Sequence, residues 1–473
     1  MTIYFTSSTT TTTYNIQSTI STQAMSLQDI DNTVIPLEAG ATTCGYCSPP
    51  GQRSEEATSY HSATLEAIQL TCSAYQDMIV RGWRRSGNYC YKPDLKRSCC
   101  PQYTIKLDAA AFKPSRSQRQ LMNRWNRFVL NGEPSTDAMD VGEHGYAHIS
   151  QFYYLVYTTI TCALTGDIAV RNSSKGNHKG KKGASFVSLT RSVHEAEDGF
   201  LADEAAHKFE TILEPSSYTL EKFNLYKKYQ SEIHSDKRNN PTGFKRFLVT
   251  SPLKYEIIPY ATPAPGHLPA QYGSYHQLYR LDGELIAMAV LDILPHCVSS
   301  VYFMYDKTWE RFSLGKLSAL REASLAAEMR QAGAPGMQYL YMGFYIHSCQ
   351  KMKYKGEYYP SYLADPETYD WFPLDTCKPL LESHRYACFS EPSHSMNEPI
   401  DDSDEPDSGS STETNDLDDI KVVVRDKSGD IIAVPVKNTG YIAFKHVLEE
   451  LQICVRGLGM RLSKEIAFLL AVR

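Results

Sequence analysis

Two cysteines stand side by side at Cys99 and Cys100, in the basic, tyrosine-rich run Y-C-Y-K-P-D-L-K-R-S-C-C-P-Q-Y-T. Adjacent cysteines make a poor bridge, because their side chains diverge and the eight-membered ring strains the backbone. They fill a core poorly as well, so the pair reads as half of a site. The other half is C-G-Y-C, Cys44 to Cys47, whose C-x-x-C spacing lets two thiolates reach one metal. Four sulfur ligands separated by one long loop force the chain to fold back on itself. Soft thiolates select zinc or an iron–sulfur cluster. The spacing matches neither a common ferredoxin pattern nor a zinc ribbon with two C-x-x-C halves. Unmetallated core thiols and a C-x-x-C redox pair are the competing readings. Cys72 and Cys90 read better as packing residues.

The chain has 473 residues, of which 42% are hydrophobic and 22% charged, enough for two or three globular domains. Twelve cysteines without even spacing do not form a disulfide framework. The opening M-T-I-Y-F-T-S-S-T-T-T-T-T lacks the basic residues of a signal or transit peptide, and no apolar run is long enough for a membrane span. The expected location is the cytosol or nucleus. The net charge of −6 hides an asymmetry: residues 398–420 carry ten acids and no Lys or Arg, and without them the chain is about +4. A mildly basic body of this kind can bind RNA.

Along the chain, residues 1–38 read as a disordered Ser/Thr-rich tail and 39–135 as a cysteine-rich metal-binding domain. Residues 136–199 read as a linker containing the basic loop N-S-S-K-G-N-H-K-G-K-K-G, which suits a solvated loop or RNA contact. Residues 200–390 form a second organised domain, 391–420 an acidic linker and 421–473 a C-terminal tail with a small hairpin in K-V-V-V-R-D-K-S-G-D-I-I-A-V-P-V. Tyr75, Met78 and Ile79 before Gly82 fit a short helix with a glycine stop. Leu121, Met122, Trp125, Phe128 and Val129 make a helical stripe opposite a basic face. F-N-L-Y-K-K-Y-Q-S-E-I-H reads as helix and F-K-R-F-L-V-T-S as strand. Asp282-Gly283 joins two β-rich runs as a hairpin. A helix follows with Leu317, Leu320, Ala323 and Ala327 on one side, Ser313 as its cap and Gly333 as its stop. The pattern is α+β with a mostly antiparallel sheet.

Several long motifs share one order with a known family. C-G-Y-C, M-I-V-R-G-W-R-R-S-G-N-Y-C-Y-K-P and C-C-P-Q-Y-T-I resemble the N-terminal domain of arginyl-tRNA–protein transferases. Y-H-Q-L-Y-R-L-D-G-E-L-I-A, V-L-D-I-L-P-H-C-V-S-S-V-Y, L-G-K-L-S-A-L-R-E and Y-M-G-F-Y-I-H-S-C-Q-K-M-K-Y-K-G-E-Y resemble its second domain. The likeness covers roughly 40–135 and 200–375. It implies a GNAT-like acyltransferase domain behind an N-terminal cluster-binding domain. It implies that Cys44, Cys47, Cys99 and Cys100 hold an iron–sulfur cluster, or alternatively Zn2+. The implied reaction moves arginine from arginyl-tRNA to the α-amine of N-terminal Asp, Glu or oxidised Cys of other proteins, marking them for N-degron degradation. The first 38 residues and the tail beyond about 390 inherit no role.

The implied chemistry sets requirements that residues can be matched to. The aminoacyl ester is already activated, so no ATP is needed, and no G-x-x-x-x-G-K-[ST] motif is present. The attacking amine must lose a proton, the ester oxygen needs donors, and the acceptor's acidic side chain needs a cation. Asp292, between apolar strand residues, is a candidate for the guanidinium or the proton; a strand-end acid bonded to backbone is the plainer reading. Tyr345 and His347 alternate in Y-M-G-F-Y-I-H and so share a face, as proton-transfer candidates or a packed pair. Lys351, Lys353 and Lys355 suit phosphate or an acidic N-terminus, or a solvated face. Arg81, Arg84 and Arg85 suit the acidic residue or the RNA. Arg321 and Glu322 read as a structural ion pair. Two rivals remain: a metal-domain module that binds acidic N-termini or RNA without turnover, and a GNAT-type transferase using acetyl-CoA. The second lacks a Q/R-x-x-G-x-G/A loop before the helix that follows Phe312.

Overall fold

The computed structural model describes residues 25–26, 30–47, 52–132, 188–201, 205–400 and 417–470. The first 24 residues, the basic loop at 172–183 and most of the acidic stretch lie outside the described residues. The architecture is α+β, built on two mixed sheets. The first runs in the order Met25–Ser26, Ile431–Pro435, Lys421–Arg425, Ala467–Phe468, Thr33–Leu37, Ser59–Gln69, Tyr89–Pro93, Arg84–Ser86. The second runs Trp371–Pro373, Ser361–Ala364, Tyr103–Asp108, Tyr339–Tyr345, Cys297–Tyr305, Glu284–Leu294, Gln271–Leu281, Phe209–Pro215. Most neighbours are antiparallel. The strand at Ala467–Phe468 is parallel to both of its neighbours, and Cys297–Tyr305 is parallel to Tyr339–Tyr345.

The sheets do not follow the linear division expected from sequence. Immediately after Cys99 and Cys100, the strand Tyr103–Asp108 enters the second sheet between Ser361–Ala364 and Tyr339–Tyr345. The segment expected as a C-terminal tail supplies three strands of the first sheet. Its helix Lys445–Leu458 packs so closely that a Cβ at Gly457 would lie 2.8 Å from the Trp83 ring. Trp83 Nε1 donates to the Gly457 carbonyl at 3.0 Å. One continuous hydrophobic core runs from Val34 and Trp83 through Leu107 and Val298 to Leu451. Long-range pairing of this kind has no local signature, which is why the sequence offered separate blocks.

Local expectations mostly hold. Asp282 and Gly283 both take positive φ, 51° and 86°, as a two-residue hairpin with right-handed strand twist demands. The helix Arg116–Asn131 buries Met122, Trp125, Phe128 and Val129, and Ser115 with Gln118 closes a capping box. The helix Leu314–Gln331 buries Leu320 and Ala323. Ser313 stands at its N-cap with φ +52°, and its side chain accepts no capping hydrogen bond. Arg321 pairs with Glu197 at 2.8 Å, not with Glu322, which bonds Ser318 instead.

One element differs outright. The run F-K-R-F-L-V, expected as a strand, is helical: Pro241–Phe244 opens under an Asn240 cap, and Lys245–Val249 continues as a π turn. Asn240 accepts from Gly243 N at 2.8 Å, and Pro241 pre-sets the first turn. Phe244 and Leu248, four apart, bury together against Phe223 and Met304. Capping and that spacing outweighed the β-propensity of the aromatic and branched residues. No helix among the described residues is long and apolar enough to cross a membrane.

Candidate metal centre and the polar site beside it

Cys44 and Cys47 sit on a bend after the edge strand Ala41–Thr42, and Cys99 and Cys100 on a bend before the strand Tyr103–Asp108. The two bends are tied together by backbone: Cys99 N donates to the Thr58 carbonyl at 3.0 Å, and Ser54 N to the Cys44 carbonyl at 2.7 Å. Ser54 Oγ in turn accepts from Cys44 N at 2.7 Å. Arg53 clamps the same loop through Thr43. These bonds bring all four Sγ atoms within 4.8 Å of one another. Cys47 and Cys99 Sγ are 3.8 Å apart. A tetrahedral ion with metal–sulfur bonds of about 2.3 Å separates its thiolates by about 3.8 Å, so the donor set fits a metal.

The electrostatics follow from depth. Burial opposes ionisation of Cys44, but the backbone N–H groups of Tyr46 and Cys47, with the neighbouring thiols, hold it below the ordinary thiol value. Burial pushes Cys99 up to about 11 despite its contact with Thr58, and raises Cys100 further. A metal ion would displace these protons.

The wall of the centre comes from the second sheet. Ile346 and Cys349 are buried against Cys44 and Cys100, with Met352 beside them. In the residue pattern this wall is marked only by Cys349 following His347 in Y-I-H-S-C. The same turn carries the polar candidates. Tyr345 Oη lies 3.0 Å from His347 Nδ1, and Lys353 Nζ lies 3.4 Å from His347 Nε2. Burial and then the Lys353 charge lower the His347 pKa, so its ring is neutral at neutral pH. Burial raises Tyr345 to about 12, so its hydroxyl stays protonated. Lys351 and Lys353 project from the short helix Gln350–Lys353 and are exposed.

The remaining candidates are placed elsewhere. Asp292 is fully buried in a bidentate pair with Arg85, at 2.6 and 2.9 Å, and also accepts from Ser274 at 2.8 Å. Arg84 is buried too: it donates to the carbonyls of Trp83 and Gly343 at 2.7 and 3.0 Å and lies over the Phe344 ring. Arg81 stacks on Tyr369. Lys355 is buried, donates to the Phe344 carbonyl at 2.7 Å, and is lowered to about 7 by burial and by Arg84. The structure thus sets Tyr345, His347 and Lys353 on the same segment as Ile346, Cys349 and Met352, which pack on the cysteine centre, and joins Asp292 to Arg85 in the core.

The comparisons with known proteins agree in both halves of the chain. Residues 42–120 match the family model described as "Arginine-tRNA-protein transferase, N terminus", and residues 221–365 match its C-terminal counterpart. Arginyl-tRNA–protein transferase 1 of Drosophila melanogaster is 34% identical, across 74% of this chain and 84% of its own length. Arginyl-tRNA–protein transferase 1 of Arabidopsis thaliana is 29% identical, across 76% of this chain and 75% of its own. That of Dictyostelium discoideum is 27% identical, across 75% and 85%. With one matched region holding the cysteine centre, a second following it, and 34% identity across 84% of the fly protein, the chain belongs to the arginyl-tRNA–protein transferase family.

Proposed function

We propose that this chain is an arginyltransferase that moves arginine from arginyl-tRNA to the α-amine of proteins whose N-terminal residue is Asp, Glu or oxidised Cys, so committing them to N-degron degradation. The identity to the fly relative, reaching across 84% of that protein, carries the reading. The second sheet is read as a GNAT-like acyltransferase core. In support, antiparallel strands at 271–305 are followed by a helix and the parallel strand Tyr339–Tyr345. That parallel ladder covers only Cys297–Ser299 against Tyr339–Tyr341, so the pairing of these two strands ends beyond it. The setting is the cytosol or nucleus, where charged tRNA is found.

In the reaction, the acceptor's α-amine attacks the arginyl ester carbonyl and the 3′-oxygen of the tRNA leaves. One proton must travel from the amine to that oxygen. His347, neutral and bridged to Tyr345 and Lys353, is the group placed to take it and return it. Lys351 and Lys353 offer exposed charge to phosphate or to the acceptor's acid. Arg84 acts as a positioning residue, donating to the Gly343 carbonyl on the strand that leads to His347, while Arg85 and Asp292 pair in the core. Cys44, Cys47, Cys99 and Cys100 would hold the metal. When bound it supplies a fixed four-thiolate junction that locks the wall at 346–352. The observed sulfur spacing suits a single ion; a cluster interposes several irons and sulfides and would require the thiolates to move apart.

The deciding experiment offers labelled arginyl-tRNA and two peptides that differ only in N-terminal Asp or Ala. Label on Asp alone is the expected result. Equal labelling would remove the acidic specificity, and no label from folded, metal-loaded protein would leave a binding module. Two variants probe the proton path. His347→Gln is expected to lower kcat by about 10²-fold or more. Lys353→Met removes the cation that depresses His347, so the acid limb of kcat/KM should move to higher pH. An unmoved limb would exclude His347 as the titrating base.

A further inference from the structure

A second group of metal-type donors converges beyond residue 365, where the family match ends. It is built on a turn and a loop. After the strand Ser361–Ala364, the run D-P-E-T folds on Asp365, whose Oδ1 accepts from Glu367 N at 2.9 Å and Thr368 N at 2.8 Å. Asp365 Oδ2 accepts from Phe389 N at 2.7 Å and Ser390 N at 2.9 Å. One fully buried carboxylate thus ties the turn to the loop Y-A-C-F-S-E-P-S-H-S-M. The loop is closed at its neck, where Tyr386 and Met396 exchange both backbone hydrogen bonds at 2.9 Å. Within it the spacing C-x5-H brings His394 back to Cys388.

Glu367, Cys388 and His394 each place one donor atom within 4.8 Å of the other two. His394 Nδ1 lies 2.7 Å from Glu367 Oε2. The other carboxylate oxygen is held by Tyr386 Oη at 3.0 Å and Lys96 Nζ at 2.8 Å, which fixes where Oε2 points. Cys388 is fully buried and forms no disulfide. A tetrahedral zinc ion sets sulfur, nitrogen and oxygen donors about 3.3–3.6 Å apart, so an approach of about 1 Å completes the set. His394, with 54% of its side chain exposed, has room to make it. One thiolate, one imidazole and one carboxylate suit Zn2+ rather than Mg2+ or Ca2+, which take oxygen donors.

We propose that Glu367, Cys388 and His394 form a second metal site, for a zinc-class divalent ion with water in the fourth position. Binding forms one bond from the metal to each of the three donors and releases the Cys388 proton to solvent. With three protein donors the site holds its ion less tightly than four thiolates do, so it fills by titration rather than persisting through purification. Its position gives it a structural task. Arg385, beside the neck of the loop, donates to the carbonyls of Leu95 at 3.2 Å and Lys96 at 2.7 Å, and Lys96 stands three residues before Cys99. The ion pins the loop 386–396 against the segment that carries the vicinal cysteines.

The test uses full-length protein whose four-cysteine centre is loaded with zinc and freed of excess metal, then titrated with Co2+. Wild type should take up one further equivalent and show a sulfur-to-cobalt charge-transfer band in the near ultraviolet. His394→Ala, a change at an exposed side chain, and Cys388→Ser, close in volume, should each lose that equivalent and the band. Added Zn2+ should slow amide exchange across 386–396 in wild type and leave it unchanged in His394→Ala. No further uptake by wild type would overturn the proposal. So would uptake without the sulfur band, which marks surface imidazole and carboxylate binding, or uptake undiminished in His394→Ala. Exchange across 386–396 unmoved by zinc in wild type would overturn the pinning. None of these readings requires arginine transfer, so the site stands or falls separately from the proposed function.

Discussion

Replacing Cys99 and Cys100 together by Ser is expected to leave the chain without bound metal and with its junction unlocked. Wild type should carry one zinc ion per chain by elemental analysis; iron with acid-labile sulfide would instead show that the sulfurs spread to hold a cluster. Thiolate coordination of zinc is worth about 10–16 kcal/mol in small peptides that fold only around it. Only part of that is linked to folding here, because the hydrophobic core is elsewhere and lacks these thiols except at its border. The loss should therefore be local. The loop closed by Arg53, Ser54 and Thr58 should become open to protease, and the wall formed by Ile346, Cys349 and Met352 should loosen. Because that wall continues into His347 and Lys353, kcat should fall as well. Metal content unchanged in the double variant would disprove the ligand assignment.

Arg85→Met is the other substitution with a large expected effect. It leaves the Asp292 carboxylate fully buried with only Ser274 as a side-chain partner. Removing one member of a buried pair costs about 3–5 kcal/mol, since the other charge remains in low dielectric. Chemical denaturation should show that loss for Arg85→Met. The double variant Arg85→Met, Asp292→Leu should recover most of it, because an apolar pair of similar volume avoids the desolvation cost altogether. A double-mutant cycle measures the coupling directly. The same variants separate two roles for Asp292. If Asp292→Asn keeps wild-type stability yet loses kcat, the carboxylate takes part in the reaction; if stability and kcat fall together, it positions the strand that bears it.

Much of the candidate site was legible in the residues. C-x-x-C and the vicinal pair offer four soft ligands, with core thiols and a redox pair as the rival readings, and the structure brings their sulfurs within 4.8 Å. Alternation placed Tyr345 and His347 on one face, and they meet at 3.0 Å. The turn at Asp282-Gly283 was equally plain, since few dipeptides accept two positive φ values. The equal treatment of three lysines did not survive folding. Lys351 and Lys353 are exposed, whereas Lys355 turns inward to the Phe344 carbonyl. Identical residue types two apart carry no mark of which will be buried. The strand expected at 244–251 failed for a related reason: period-2 and period-4 patterns overlap in short apolar runs, and the Asn240 cap decided the outcome.

Sequence alone determined the chemistry on offer: the sulfur donors, the hairpin and helix boundaries, and the family to which the ordered motifs point. These are local properties, set by residue type, spacing and backbone freedom. Only the tertiary structure decided which groups face one another. It sent Tyr103–Asp108 into the second sheet and the 421–470 segment into the first. It paired Arg85 with Asp292, separated by some two hundred positions, and set the cysteine centre against Cys349. Such contacts form because burying apolar surface in one continuous core outweighs the entropy of closing long loops, a balance that no short window of sequence contains.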